Sequence, residues 1–190
     1  MKQFLFLIVL MLVFSCKGPA EKAVQDEAGK EPVAEFMENL KAFSGQSFYG
    51  KVLFPEEPEA PFNAEILYVI FEKVTDTEAR MPFILGNDKS RTWVLSLKEE
   101  GLLFKHDHRH EDGTPEEITM YGGFADENGT AFFQNFPADE ETATMMPETA
   151  TNVWTFKFNE DFTEFHYILE RHSAPRFHVV FDLTAPIDNQ

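Results

Sequence analysis

The stretch Gly101-Leu102-Leu103-Phe104-Lys105-His106-Asp107-His108-Arg109-His110-Glu111-Asp112-Gly113 reads as a β-strand running into a turn. Successive side chains of a strand point to opposite faces. One face therefore carries Leu102, Phe104, His106, His108 and His110, and the other carries Leu103, Lys105, Asp107, Arg109 and Glu111. The histidines continue the apolar face and the charges fill the opposite one. With Leu102 and Phe104 in a core, His106 and His108 stand at the rim or mouth of the same interior.

Outward from this strand, the chain after Gly45 is a series of short, aromatic-rich, β-favouring runs divided by turn residues. Strands are expected near 47–54, 64–74, 80–86, 91–98, 101–110, 117–123, 130–136, 152–158, 162–171 and 176–183. Gly86-Asn87-Asp88 and Asn159-Glu160-Asp161 suit hairpin tips, and Asp112-Gly113-Thr114-Pro115 and Asp126-Glu127-Asn128-Gly129 suit loops. The segment from Pro137 to Pro147 interrupts the series with room for one helical turn. Strands this closely spaced, without helices between them, imply an all-β domain: an antiparallel up-and-down barrel or curled sheet of about eight to ten strands. Ahead of it, Val33, Phe36, Met37, Leu40 and Phe43 recur at helical spacing behind Pro32 and before Ser44-Gly45. That pattern predicts a short amphipathic helix, and a helix beside such a barrel is the lipocalin-like arrangement at the level of fold alone.

Composition agrees with a folded domain. Of 190 residues, 43% are hydrophobic and 21 are Phe, too many aromatics for a disordered chain. Most of the phenylalanines should fill the core, and a barrel of about eight strands can leave room for one small ligand. The 33 acidic residues outnumber the 16 Lys and Arg, for a net charge of −17. Such a surface repels nucleic acid and anionic lipid headgroups. A single cysteine excludes a disulfide framework and an all-cysteine metal site.

That cysteine is Cys16. Met1-Lys2-Gln3 and the apolar run Phe4–Phe14 have the make-up of a secretory signal, too short to span a membrane as a helix. Val13-Phe14-Ser15-Cys16 resembles the lipobox of bacterial lipoproteins, although Phe14 stands where that family usually carries a smaller residue. The resemblance implies cleavage before Cys16, a lipidated Cys16 thiol, and export to the cell envelope, at the outer membrane or cell surface. Two or three acyl chains anchor far more firmly than one. The expected organisation is thus a signal peptide over 1–15, a lipidated flexible tether over 16–31, and one β-rich domain over 32–190. The tether lacks large apolar residues and would reach roughly 20 Å.

Three imidazoles on one strand face suggest a metal. Neutral imidazole is the commonest protein ligand of metals and binds zinc at about 2.0–2.1 Å. Neighbours at i and i+2 have Cα atoms about 6.8 Å apart, so His106 and His108 could lean to one ion, whereas all three with His110 span about 13–14 Å. His106, His108 and His110 are therefore candidate ligands of zinc or copper, helped by a group from another strand. The alternative is that each is an ordinary hydrogen-bonded side chain. His166 shares a face with Glu164 and Glu170, which points it toward solvent, and His178 shares one with Arg176 and Asp182.

Lys105–Pro115, Ile118–Gly123, Phe136–Asp139, Asn152–Thr155 and Arg176–Leu183 also resemble a group of small secreted bacterial proteins, over roughly residues 100–185. That resemblance implies export and a compact domain and carries no activity. No nucleophile–base pair, phosphate loop or dinucleotide fingerprint is present. The leading function is non-enzymatic binding of a small apolar ligand or a metal ion in or at the mouth of the barrel. The alternatives are a metal-dependent hydrolase using His106 and His108, or an envelope interaction module with no cavity.

Overall fold

Among the described residues, eleven strands follow one another almost entirely by hairpins. They are β1 (Ser47–Phe54), β2 (Leu67–Ile70), β3 (Lys73–Val74), β4 (Glu78–Leu85), β5 (Asp88–Lys98), β6 (Gly101–His108), β7 (Tyr121–Phe124), β8 (Phe133–Pro137), β9 (Asn152–Phe158), β10 (Glu164–Arg171) and β11 (Ala174–Pro186). The computed structural model describes residues 31–56 and 66–188. The signal, Cys16 and nearly all of the tether expected from the sequence lie outside these residues. Every strand pairing is antiparallel, in the order β7-β6-β5-β4-β2-β1-β11-β10-β9-β8, with β3 beside β4. The sheet curls into a nearly closed barrel, as the antiparallel reading of the sequence expected.

The curl brings β7 and β8 edge to edge without a ladder between them. Asp139 N–H donates to the Gly122 carbonyl (2.9 Å) and Asp126 N–H to the Asn135 carbonyl (2.9 Å). The Thr142 hydroxyl accepts from Gly122 N–H (2.7 Å) and donates to the Gly122 carbonyl (2.9 Å). Thr142 rides on the short helix α2 (Glu140–Met145), whose N-cap Asp139 accepts from Thr142 N–H (2.8 Å). Lys105, on the outer face of β6, grips that helix through Asp139 (2.7 Å) and Glu141 (3.2 Å). Two glycines permit so close an approach: a Cβ on Gly122 would collide with the Phe104 carbonyl oxygen, and one on Gly123 with that of Pro137.

Strand boundaries depart from the sequence reading where backbone partners run out. The run expected over 64–74 divides into β2 and β3. Pro82 of β4 lies opposite the division: Arg80 already turns its carbonyl toward Glu72 N–H (3.1 Å), so Pro82 presents its missing donor on the same side. The run expected over 117–123 joins the sheet only at Tyr121, because the preceding residues form the loop after β6.

The interior is a continuous aromatic stack. Phe83 lies on Trp93 (centroids 4.8 Å) and Trp93 on Tyr167 (4.3 Å), while Phe156 meets Phe104 (4.9 Å) and Phe165 (5.7 Å). A helix over residues 31–41, here α1, covers one end of the barrel. Phe36, Met37 and Leu40, the apolar stripe of the sequence, are wholly buried. Phe36 meets Phe158 (5.9 Å), and Phe43, just past the helix, meets Phe48 (5.9 Å) and Phe71 (5.8 Å). Full burial of each such side chain stabilises by about 1.5–3 kcal/mol. Asn39 ties the helix to the loop before β8 by donating to the Ala131 carbonyl (2.9 Å). Among the described residues no helix is long and apolar enough to cross a membrane.

Candidate functional site

The end of the barrel opposite α1 holds a cavity of about 380 Å³. Its walls are Phe83, Arg91 and Trp93 of β4 and β5, His106, His108 and Tyr121 of β6 and β7, and Tyr167, Leu169, Arg176 and Phe177 of β10 and β11, with Pro55 at the rim. Alternation along β6 grades its depth. Leu102 and Phe104 are wholly buried, His106 is 4% exposed, and His108 is half-buried. His106 and His108 thus lie on the inward face that the alternating pattern gave them, His108 toward the mouth and His106 deeper in the wall than the rim position expected. His110 lies past the end of β6, exposed in the loop, with its N–H on the Thr114 carbonyl (2.9 Å).

Hydrogen bonds assign the tautomer of each ring. His106 Nδ1 lies 3.2 Å from the Tyr121 carbonyl, which can only accept, so Nδ1 carries the hydrogen. Nε2 then accepts from the Tyr167 hydroxyl at 2.8 Å. Burial pushes His106 down to about 3, so the ring is neutral at any ordinary pH. The Tyr121 ring stacks on it at 4.3 Å. His108 Nδ1 faces Glu116 at 3.7 Å, which favours hydrogen on that nitrogen, and Nε2 accepts from the Tyr121 hydroxyl at 3.1 Å. Burial, then the Arg91 charge, hold His108 below the ordinary histidine range, against the opposing pull of Glu116. Burial raises the Tyr121 hydroxyl to about 12 and Tyr167 well above its usual value. Both phenols are therefore neutral, and each commits its single hydrogen to a histidine.

This wiring bears on the metal expectation. The His106 and His108 rings lie 6.3 Å apart, and the His106 lone pair is engaged by Tyr167, so it would reach a cation only after Tyr167 turned aside. Among the described residues no three His, Cys, Asp or Glu side chains gather in a geometry that would hold an ion. What the cavity offers a guest is an apolar, aromatic wall, two phenol oxygens able only to accept, and guanidinium donors at the mouth.

Four of these residues were missed in the sequence. Tyr121 and Tyr167 look like core aromatics until their partners are known. Arg91 carried a usable signal, since it shares the inward face of β5 with Trp93 two positions on. Arg176 has the outward parity of β11 yet reaches the mouth, beyond a register shift at Leu169/Glu170. On the outer wall the structure joins two histidines that sequence treats separately: His166 Nδ1 and His178 Nε2 are 3.0 Å apart, with Glu164 3.3 Å from His166 Nε2. Burial lowers both rings.

Comparison of the chain with protein-family models, with curated proteins and with solved structures finds no match. The functional reading therefore rests on the geometry of the chain itself.

Proposed function

We propose that this protein is an extracytoplasmic lipoprotein, anchored through Cys16, whose barrel holds a small and largely apolar ligand at the end opposite α1. One observation carries the binding half of the reading. The barrel is packed solid with aromatic side chains beneath α1, yet leaves about 380 Å³ at its other end, within the range of small-molecule sites. The lining supports an apolar guest: Phe83, Trp93, Leu169 and Phe177 supply area, and the two histidines and two tyrosines of the wall are engaged with one another. Export supports the same role, because a tethered domain can capture molecules outside the cytoplasm.

Titration with 1-decanol, followed by tryptophan fluorescence, tests the cavity, since Trp93 forms part of its wall. The full chain should bind decanol saturably, and Leu169→Trp, which fills the space, should abolish binding while unfolding cooperatively. Equal binding by both proteins would refute the cavity reading. For the anchor, radioactive palmitate should label the protein in cells and fail to label Cys16→Ser. No label on the parent chain would refute the anchor and leave the cavity untouched.

A further inference from the structure

We infer that the ligand is an organic anion, held with its apolar body against Trp93 and Tyr167 and its charged head at Arg176 in the mouth. The inference rests on the cavity reading above and adds the charge and orientation of the guest.

It begins from a contrast of charge. Acidic residues outnumber basic ones two to one across the chain, 33 against 16. Among the described residues the cavity lining reverses this, with two arginines and no Asp or Glu. Arg91 is already held by Asp88, its closest ion-pair partner. Arg176 is different. It is exposed at the mouth and, among the described residues, has no carboxylate and no hydrogen-bond acceptor. A guanidinium offers five donors in a planar fork suited to a carboxylate, sulfonate or phosphate group. Beside an apolar wall, where less water competes, such a pair is stronger than on open surface.

The inner wall settles the orientation. The Tyr167 and Tyr121 hydroxyl hydrogens are spent on His106 and His108, so both phenol oxygens face any guest as acceptors only. The His106 Nδ1 hydrogen is spent on the Tyr121 carbonyl. An anionic head placed deep in the cavity would meet these lone pairs, with no donor there beyond the single indole N–H of Trp93. Placed at the mouth, it meets an unengaged guanidinium. The apolar body is left for Phe83, Trp93, Tyr167 and Phe177, the aromatic surface of the wall.

The net charge makes the inference testable. A chain at −17 creates a long-range field that favours cations over anions. A preference for anions has to come from the local arginines, of which Arg176 is the one without a carboxylate partner among the described residues. Decanoate, decanol and decylammonium share one apolar tail and differ in charge, and tryptophan fluorescence reads each of them on the full chain. Decanoate should bind most tightly and decylammonium least. Arg176→Gln should weaken decanoate about five- to tenfold, weaken decanol much less, and leave the unfolding midpoint unchanged, because the side chain is exposed. Arg176→Glu should invert the order of decanoate and decylammonium. If decanoate binds no better than decanol, or Arg176→Gln leaves their ratio intact, the anion inference falls while decanol binding keeps the cavity reading standing. If none of the three probes binds, both fall together.

Discussion

The two ends of the barrel are built from different chemistry. At the covered end, α1 lays Phe36, Met37 and Leu40 across the sheet, and the contacts there are ring on ring. At the other end the same inward positions carry His106, His108, Tyr121, Tyr167 and Arg91 around an unfilled space. Burying apolar side chains stabilises the fold directly. Burying imidazoles and phenols stabilises it only if every donor and acceptor is matched, and here the four aromatic polar groups match one another. A barrel needing stability alone would close both ends as α1 closes one. The polar end is the one to which the proposed binding is assigned.

The contrast can be broken at either end. The largest effect is expected at the covered one: Phe36→Ala should cost about 3–5 kcal/mol in urea unfolding, the range for an aromatic removed from a core, without changing the affinity for decanol. A loss below about 1 kcal/mol would mean that α1 is an ornament to the barrel.

Acid should act at the polar end. His106 lies at about 3 in the folded chain, against 6.5 for an ordinary histidine. Below pH 6.5 the unfolded chain takes up a proton that the folded chain refuses. The resulting stability is complete above pH 6.5 and is lost as pH falls toward 3, at up to about 1.4 kcal/mol per pH unit. His108, His166 and His178, also lowered, act in the same direction. Urea midpoints at pH 7, 5 and 4 should fall steadily, and His106→Phe should be less stable at pH 7 but show a slope shallower by about one proton. An unchanged slope would mean that His106 is not the group held neutral.

A smaller loss is expected from Tyr167→Phe. It keeps the ring on Trp93 but leaves His106 Nε2 without its donor, at about 1–3 kcal/mol by the same urea assay. The smallest belongs to the surface. Lys41, the last residue of α1, is paired with Asp76 (2.6 Å) and Glu38 (3.2 Å) and well exposed, and Lys41→Ala should leave the urea midpoint unmoved.

Much of this architecture was legible in the sequence because it is local. The residues from Leu102 to Arg109 announce a strand, since their two faces differ in chemistry at every step. The stripe Val33, Phe36, Met37, Leu40 and Phe43 announces a helix in the same way. The site was legible in part. Alternation placed His106 and His108 at the mouth, and it also extended to His110, whose side chain belongs to a loop because β6 ends at His108. What they touch was not legible. His106 and Tyr167 are 61 residues apart, and only the curl of the sheet brings β6 opposite β10. The same holds for His166 and His178, whose meeting depends on the register of β10 against β11. Gly122-Gly123 fell within the run read as a strand over 117–123, and that reading gave no sign that their lack of side chains serves a close backbone crossing of β7 with β6 and β8.

That crossing gives the ring of strands a clasp. Elsewhere the circle is fastened by repeated ladder bonds, but between its first and last links the joint relies on a few isolated contacts, two of them made by one hydroxyl. Thermal breathing should begin there, and each opening would bare a pair of strand borders to whatever extended peptide lies within reach. The molecule's weakest latch is thus also its place of greatest exposure to strand exchange, and a threonine on a six-residue helix keeps it shut.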